Sequence, residues 1–421
     1  MFYQYLYMNN YNTNNYNINY IKNDNKDIKT TIILELYRLT LYNKLQEKLK
    51  KIRIKYTNNN NDKNKSLTNM LALDILSILL FNHKYESNLD PLFDSKSPFT
   101  KLNINNYFKK YKCIRNISKD TLNIIIKIFP KISNKYIKYY NKIIKFLKKK
   151  SNFNKIDYEI NQSNIILKNK NFININLTLI NNTKIKIFYN NKILISSDIF
   201  NHLNKLYTIE NNTNDYLLEY IYIVFNRYFI FSSGNNQSSI LPSLKKILKE
   251  KLNIKIELFG SPLNTMSIKF GSFFYDIDNK FGSIGNYFNT KIIKGYYEIN
   301  PPFDICLINN IFKKSLKELK EANTNNQPLL FFFIIPKSYF NYKNLHKDYD
   351  LFIKYKIMIE KNNFLYRRYN RSYDIMNTNP IVDTFLILCC TDHINHFVNY
   401  NISIFDSIIK DWLKKIEIYK N

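Results

Sequence analysis

The stretch PLLFFFIIP, residues 328–336, constrains this chain more than any other. Seven consecutive apolar residues, Leu329 to Ile335, stand between two prolines. The run falls far short of the ~20 residues that span a bilayer. It has the length of a strand covered on both faces, and such strands belong to sheets with a helix layer on each side. The elements around it fit that frame. From residue 217 onward strand-like and helix-like segments alternate: YIYIVFNRYFIF as a strand, the loop SSGNNQSS, ILPSLKKILKEKL as a helix with its proline in the first turn, then IKIELF and GYYEI as strands. DICLINNIFKKSLKELKEA reads as a helix, and YKIMIE and DTFLILCC complete a parallel-dominated sheet. The expected fold class is α/β, with helices on both faces of the sheet.

Upstream the pattern changes. Residues 1–28 are polar, rich in Asn and Tyr and without period, and read as disordered. Residues 29–150 read as a helical domain, a candidate RNA-binding surface. Leu34, Leu41, Leu45, Leu49 and Ile52 share one face there. SLTNMLALDILSILLFN forms a second helix, and a Pro- and Ser-rich loop covers 86–100. KDTLNIIIKIF stops at Pro130, and a basic amphipathic helix follows. Residues 151–216 form a strand-rich segment, in which 155–196 alternate apolar and polar residues before a helix starts behind Ser and Asp at SSDIF. Residues 217–421 are the core domain.

With 63 Lys and Arg against 33 Asp and Glu, the formal charge is +30. Such a charge fits a nucleic-acid partner. It fits equally the Lys, Asn, Ile and Tyr excess of an AT-rich genome. Arginine is more informative, because Arg367, Arg368 and Arg371 crowd into YRRYNRSY, between tyrosines. Guanidinium groups and aromatic rings together grip phosphates and stack on bases, although the same segment also reads as a solvated turn. Four cysteines (Cys113, Cys306, Cys389, Cys390) are too few for a disulfide framework at this length, which points to a reducing compartment. No signal peptide is legible at the start. Cys389, Cys390, His393 and His396 in CCTDHINH suggest zinc at first sight. Adjacent strand residues point to opposite faces, however, so no metal is expected.

All six glycines lie between Gly234 and Gly295, several just beyond expected strand ends. That is the edge where open α/β sheets bind ligands; turn closure is the plainer alternative. The cluster ends at GYYEINPPFD. Random assembly of Asn/Asp-Pro-Pro-aromatic is expected roughly once in a hundred such chains. The tetrad follows a strand and precedes a helix. Its chemistry suits an exocyclic amino group, whose lone pair is delocalised into a base. If the Asn300 side-chain oxygen and the Pro301 carbonyl each accept one N–H, the nitrogen moves towards tetrahedral geometry. Proline holds that carbonyl stiffly, and Phe303 offers a flat face to an unstacked base. A rigid strand-to-helix turn is the alternative without chemistry.

Four ordered stretches, FGSPLN, DIDNKFGSIG, GYYEINPPF and NQPLLFFFIIP, resemble a known family between about Arg227 and Asp392. It is the cap-adenosine N6-methyltransferase family typified by phosphorylated CTD-interacting factor 1. The resemblance implies a Rossmann-like, S-adenosylmethionine-dependent enzyme acting on N6 of 2′-O-methyladenosine beside the 7-methylguanosine cap of mRNA, in the nucleus. It makes Asn300, Pro301, Pro302 and Phe303 catalytic. It assigns cofactor contacts to Gly234, Gln237, Ser261, Pro262, Asn264, Asp276, Phe281, Gly282 and Ser283. A serine or asparagine beyond the second strand bonds the ribose. Arg227, Lys337, Arg367, Arg368 and Arg371 are candidates for cap or RNA phosphates. Two departures stand out. A WW domain needs two tryptophans and the chain has only Trp412, so docking on the RNA polymerase II tail is not expected. SSGNNQSS also has one glycine where methyltransferase first loops often have more. The tetrad chemistry itself equally serves internal RNA or DNA sites, and a non-catalytic RNA-binding relative keeps the same fold.

Overall fold

A computed structural model describes residues 28–57, 100, 119–147, 157–167, 170–180, 192–228, 238–337, 349–369, 375–380, 382–394 and 404–414. The disorder expected before Ile28, the helix expected at 66–82 and the loop at 86–100 lie outside these residues, save for Ile28 and Thr100.

Helices α1 (Ile28–Thr57) and α2 (Lys119–Leu147) pack on each other, and α1 also packs on α4 (Leu217–Tyr228). Enclosed in this way, α1 is buried almost all round from Ile32 to Tyr42, not along the single stripe expected. α2 runs straight through Pro130, where a stop was expected. The proline removes one helical hydrogen bond, but Phe129, Ile132 and Tyr136 on either side are buried in a single apolar core, and their packing carries the helix past it.

Strands β1 (Asp157–Leu167), β2 (Lys170–Ile180) and β3 (Lys192–Ser196) form the expected antiparallel sheet. Ser196 caps α3 (Ser197–Asn211), its hydroxyl accepting from Ile199 N at 3.4 Å. Residues of β2, β3, α3 and α4 share the apolar core of α1 and α2.

The segment 220–231, expected as a strand, is helical through Tyr228. Its apolar run from Tyr220 to Phe225 has no clear period, and Ile221 to Tyr228 are all buried, so this is a core helix. The error matters, because it shifts the count of every later strand.

The main sheet has seven strands: β5 (Ile256–Glu257), β6 (Lys269–Gly271), β7 (Ser283–Gly285), β8 (Gly295–Ile299), β9 (Leu329–Pro336), β10 (Ile353–Ile359) and β13 (Thr384–Cys390). Their spatial order is β7-β6-β5-β8-β9-β13-β10. Numbered by their own succession, that is 3-2-1-4-5-7-6. Pairing is parallel from β7 to β9, and β13 runs antiparallel to both neighbours. β9 is buried along its whole length. Phe331, Phe333 and Ile335 pack beneath α6 (Ile305–Thr324), while Leu330, Phe332 and Ile334 face α5 (Pro242–Leu252) and α7 (404–414). The sheet is therefore mixed, mostly parallel and covered on both faces. A third sheet joins β12 (Ile375–Thr378), β11 (Tyr366–Tyr369) and β4 (Ser238–Ile240).

Candidate functional site

Succession along the sheet reverses between β5 and β8, and ligands of open α/β sheets bind at the carboxyl edge of such a reversal. β5 pairs with β8 through Ile256–Tyr297 and Glu257–Glu298, and Leu258 N then donates to Glu298 O at 2.9 Å. Phe259–Asn264 and Asn300–Phe303 therefore leave the sheet side by side. FGSPLN is the loop of the first strand and not of the second, as the miscounted strand had implied.

The Asn-Pro-Pro-Phe turn is held at its C-terminal end. Asp304 N donates to Pro302 O (2.8 Å), while the Asp304 carboxylate accepts from Leu307 N (2.7 Å) and caps α6. Asn300 is 5% exposed, and its Nδ2 has no hydrogen-bond partner among the described residues. Pro301 is buried and Phe303 half-buried, its ring meeting Tyr366 edge-on at 5.8 Å between centroids.

The cofactor candidates fall into two groups. Ser261 and Asn264 are buried, and the Asn264 amide oxygen accepts from both Ser261 N (2.8 Å) and Ser261 Oγ (2.9 Å), which closes the loop around Pro262. Asp276, Phe281 and Gly282 belong to the segment between β6 and β7, and Ser283 opens β7. Phe281 is fully buried against Tyr207. Gly282 has φ +97°, and a Cβ there would stand 2.2 Å from the Ile268 carbonyl oxygen, so this glycine serves backbone closure. The Ser283 hydroxyl bonds that of Ser272 at 2.7 Å. Ser272 directly follows the second strand, a place the sequence reading gave to other residues. Gly234, Gln237 and Arg371 lie outside the described residues.

The basic candidates divide in the same way. Arg227 is buried, its guanidinium bonded to Glu35 (2.7 Å) and Asp276 (3.3 Å). Lys337 is half exposed and 3.4 Å from Asp383. Arg367 lies on β11, beside Tyr366, and Arg368 follows it there. Burial, with the Arg367 and Lys205 charges, pushes His202 of α3 down to about 4, against the pull of the Thr265 and Pro262 backbone. β11 thus reaches both loops: Tyr366 meets Phe303, and the Arg367 charge acts on the histidine that bonds the backbone of the FGSPLN loop.

Beneath the edge lies a buried ion cluster that the sequence reading missed. Glu257 and Glu298 stand opposite each other on β5 and β8, and both are essentially inaccessible. Lys245 of α5 bonds Glu298 Oε2 and lies 3.5 Å from Glu257 Oε2, which also accepts from Thr265 Oγ1 at 3.2 Å. Glu298 Oε1 has no partner among the described residues. Burial pushes the Glu298 carboxyl up to about 7; Lys245 opposes the shift and Glu257 reinforces it. For Lys245, burial works downward, but the two carboxylates outweigh it and hold the ammonium above its ordinary pKa. An acid inside an apolar strand such as GYYEI was the available signal.

Cys389 and Cys390 pack into the cores on opposite faces of the sheet, as their adjacency implied. Among the described residues, no group of three His, Cys, Asp or Glu gathers to hold a metal, and no helix is long and apolar enough to cross a membrane.

A family model described as phosphorylated CTD interacting factor 1 WW domain matches residues 202–368. Over that stretch the chain is similar to the family. The match runs from α3 into β11 and takes in both loops of the candidate site. Although that description names a WW domain, which the sequence reading did not expect, the matched residues contain no tryptophan and cover most of the main sheet.

Proposed function

We propose that the protein is an S-adenosylmethionine-dependent N6-adenosine methyltransferase acting on the cap-adjacent adenosine of mRNA. One observation carries the reading: the strand-order reversal sets the Asn300–Phe303 turn beside the Phe259–Asn264 loop. The first five strands follow the 3-2-1-4-5 succession of dinucleotide-binding sheets, which supports a Rossmann-like reading. The orphaned, buried Asn300 Nδ2 and Glu298 Oε1 leave polar capacity at this edge, and two carboxylates against one ammonium suit a cationic ligand. The residues present therefore fit the cofactor.

When bound, the cofactor supplies an electrophilic methyl group on a sulfonium. The protein supplies placement. Asn300 and the Pro301 carbonyl accept the two N–H bonds of the amino group, the prolines keep that carbonyl fixed, and Phe303 takes the face of the base. Loops 259–264 and 272–276 hold the cofactor. Ser261 and Asn264 act through the loop shape they lock, Ser272 sits where a ribose hydroxyl is met, and Arg227 fixes Asp276. Arg367 faces RNA phosphates. A nuclear location and an mRNA substrate follow from the family likeness.

The test is methyl transfer from labelled cofactor to adenosine-start RNA, capped and uncapped, with wild type and Asn300→Ala. Transfer that requires both the cap and Asn300 supports the reading. Equal transfer to internal adenosines shifts it to a general N6-adenine enzyme, and full activity of Asn300→Ala removes the catalytic assignment.

A further inference from the structure

We propose that the Glu257–Lys245–Glu298 cluster is the counter-charge for the sulfonium of the bound cofactor, and that Glu298 gives up a proton as that cation enters. The inference rests on the methyltransferase reading above and specifies how its cofactor is recognised.

Two carboxylates directly opposite across a strand pair repel, and a buried net charge is costly. Here the cross-strand partners Glu257 and Glu298 are both buried, and Lys245 is the cation that the structure places on the two of them. Fully ionised, the three groups carry one negative charge too many. A proton on one carboxyl cancels it, and so does a positive ligand. Glu298 is the group positioned to exchange one for the other. It stands two residues before Asn300, which directly follows the strand, roughly 7 Å along the chain. Among the described residues one of its oxygens has no partner, and its burial-shifted pKa of about 7 keeps the proton within reach of neutral conditions. The groups facing it are Lys245 from α5, Glu257 from β5 and, from β11, the Tyr366 hydroxyl, on which the Glu298 charge acts. Glu257 is tied to the first loop through Thr265, so the cluster spans the floor between the two loops.

No covalent change is involved in this linkage. The bound cation replaces the carboxyl proton, which leaves to buffer. The thioether left after methyl loss has an uncharged sulfur, so the carboxyl regains its proton and the site loses its preference for keeping the spent cofactor.

Isothermal titration of the full chain with S-adenosylmethionine and with S-adenosylhomocysteine, in two buffers of different ionisation enthalpy, counts the protons. The ligands differ in sulfur charge and one methyl, so their shared amino and carboxylate groups cancel. Binding the sulfonium at pH 7 should release roughly half a proton more than binding the thioether. Its Kd should tighten about tenfold from pH 6 to pH 8, as a competent fraction set by a group near 7 requires. Glu298→Gln should abolish both effects. The wild-type comparison decides the matter even if that variant misfolds. Equal proton release by two ligands that both bind overturns this inference and leaves the methyltransferase reading standing. Failure of S-adenosylmethionine to bind overturns the methyltransferase reading, and this inference with it.

Discussion

Two buried ion networks, about the same size, behave in opposite ways. One joins Glu35 and Arg38 of α1 to Arg227 of α4 and Asp276 of the single helical turn Tyr275–Asp278: two acids, two guanidinium groups. The other sets Glu257 and Glu298 against Lys245 alone. In the first, burial would raise the Glu35 pKa, but Arg227 and Arg38 outweigh it and hold the carboxyl below its ordinary value. In the second, burial wins and Glu298 rises to about 7. Balanced charge makes a fixed lock between helices. Unbalanced charge makes a group that answers to what arrives beside it.

The largest expected effect comes from unbalancing the lock. Arg38 is fully buried, with Nε 2.6 Å from Glu35, so Arg38→Met should cost about 3–5 kcal/mol in urea unfolding. A loss below about 1 kcal/mol would show that the two networks are not the opposites described. Next is Asn300→Ala, expected to lower methyl transfer by about 10²- to 10³-fold. Its melting temperature should stay near wild type, because the truncated amide nitrogen has no partner to lose.

The pH dependence of stability separates the networks further. Glu298 is raised, so its contribution is fully present below the unfolded value of 4.5 and is lost as the pH climbs through about 7. Glu35 is depressed, so its contribution is present above 4.5 and is lost as the pH falls through the lower folded value. Wild type should therefore lose stability relative to Glu298→Gln between pH 5 and 7.5 in paired urea titrations. A constant difference across that range contradicts the assignment. The smallest effect belongs to Lys337, half exposed and 3.4 Å from Asp383. Lys337→Ala should change stability by less than about 1 kcal/mol. If it meets an RNA phosphate, the salt dependence of binding drops by about one unit of slope.

Much of the fold was legible because patterning and burial agree. Leu329–Ile335 reads as a doubly covered strand and is one, and GYYEI followed by Asn-Pro-Pro-Phe lies at a strand end as expected. The failures come from segments whose pattern has no period. YIYIVFNRY suits a buried strand or a buried helix equally, and only its neighbours α1, α3 and the helical turn at 275–278 decide for helix. That error hid Ser272 as the residue after the second strand. The site was legible in part. The tetrad announces itself, whereas Glu298, Lys245 and His202 gain meaning only from pairings across long sequence separations, which no local window contains. Phe281 and Ser283 were picked by resemblance, and the structure spends them on packing and on a serine–serine bond.

The two-rung pairing of β5 with β8 also bears on how the chain assembles. Glu257 facing Glu298 is a rung that resists forming, and the ammonium that relieves it arrives from a helix outside the strands. Without that ammonium, only a proton on one carboxyl offsets the repulsion. Pairing of strand 256–257 with strand 295–299 is therefore coupled to the seating of α5, which ends at Leu252 just ahead of Ile256, and the neighbourhood of the two loops depends on a helix that belongs to neither.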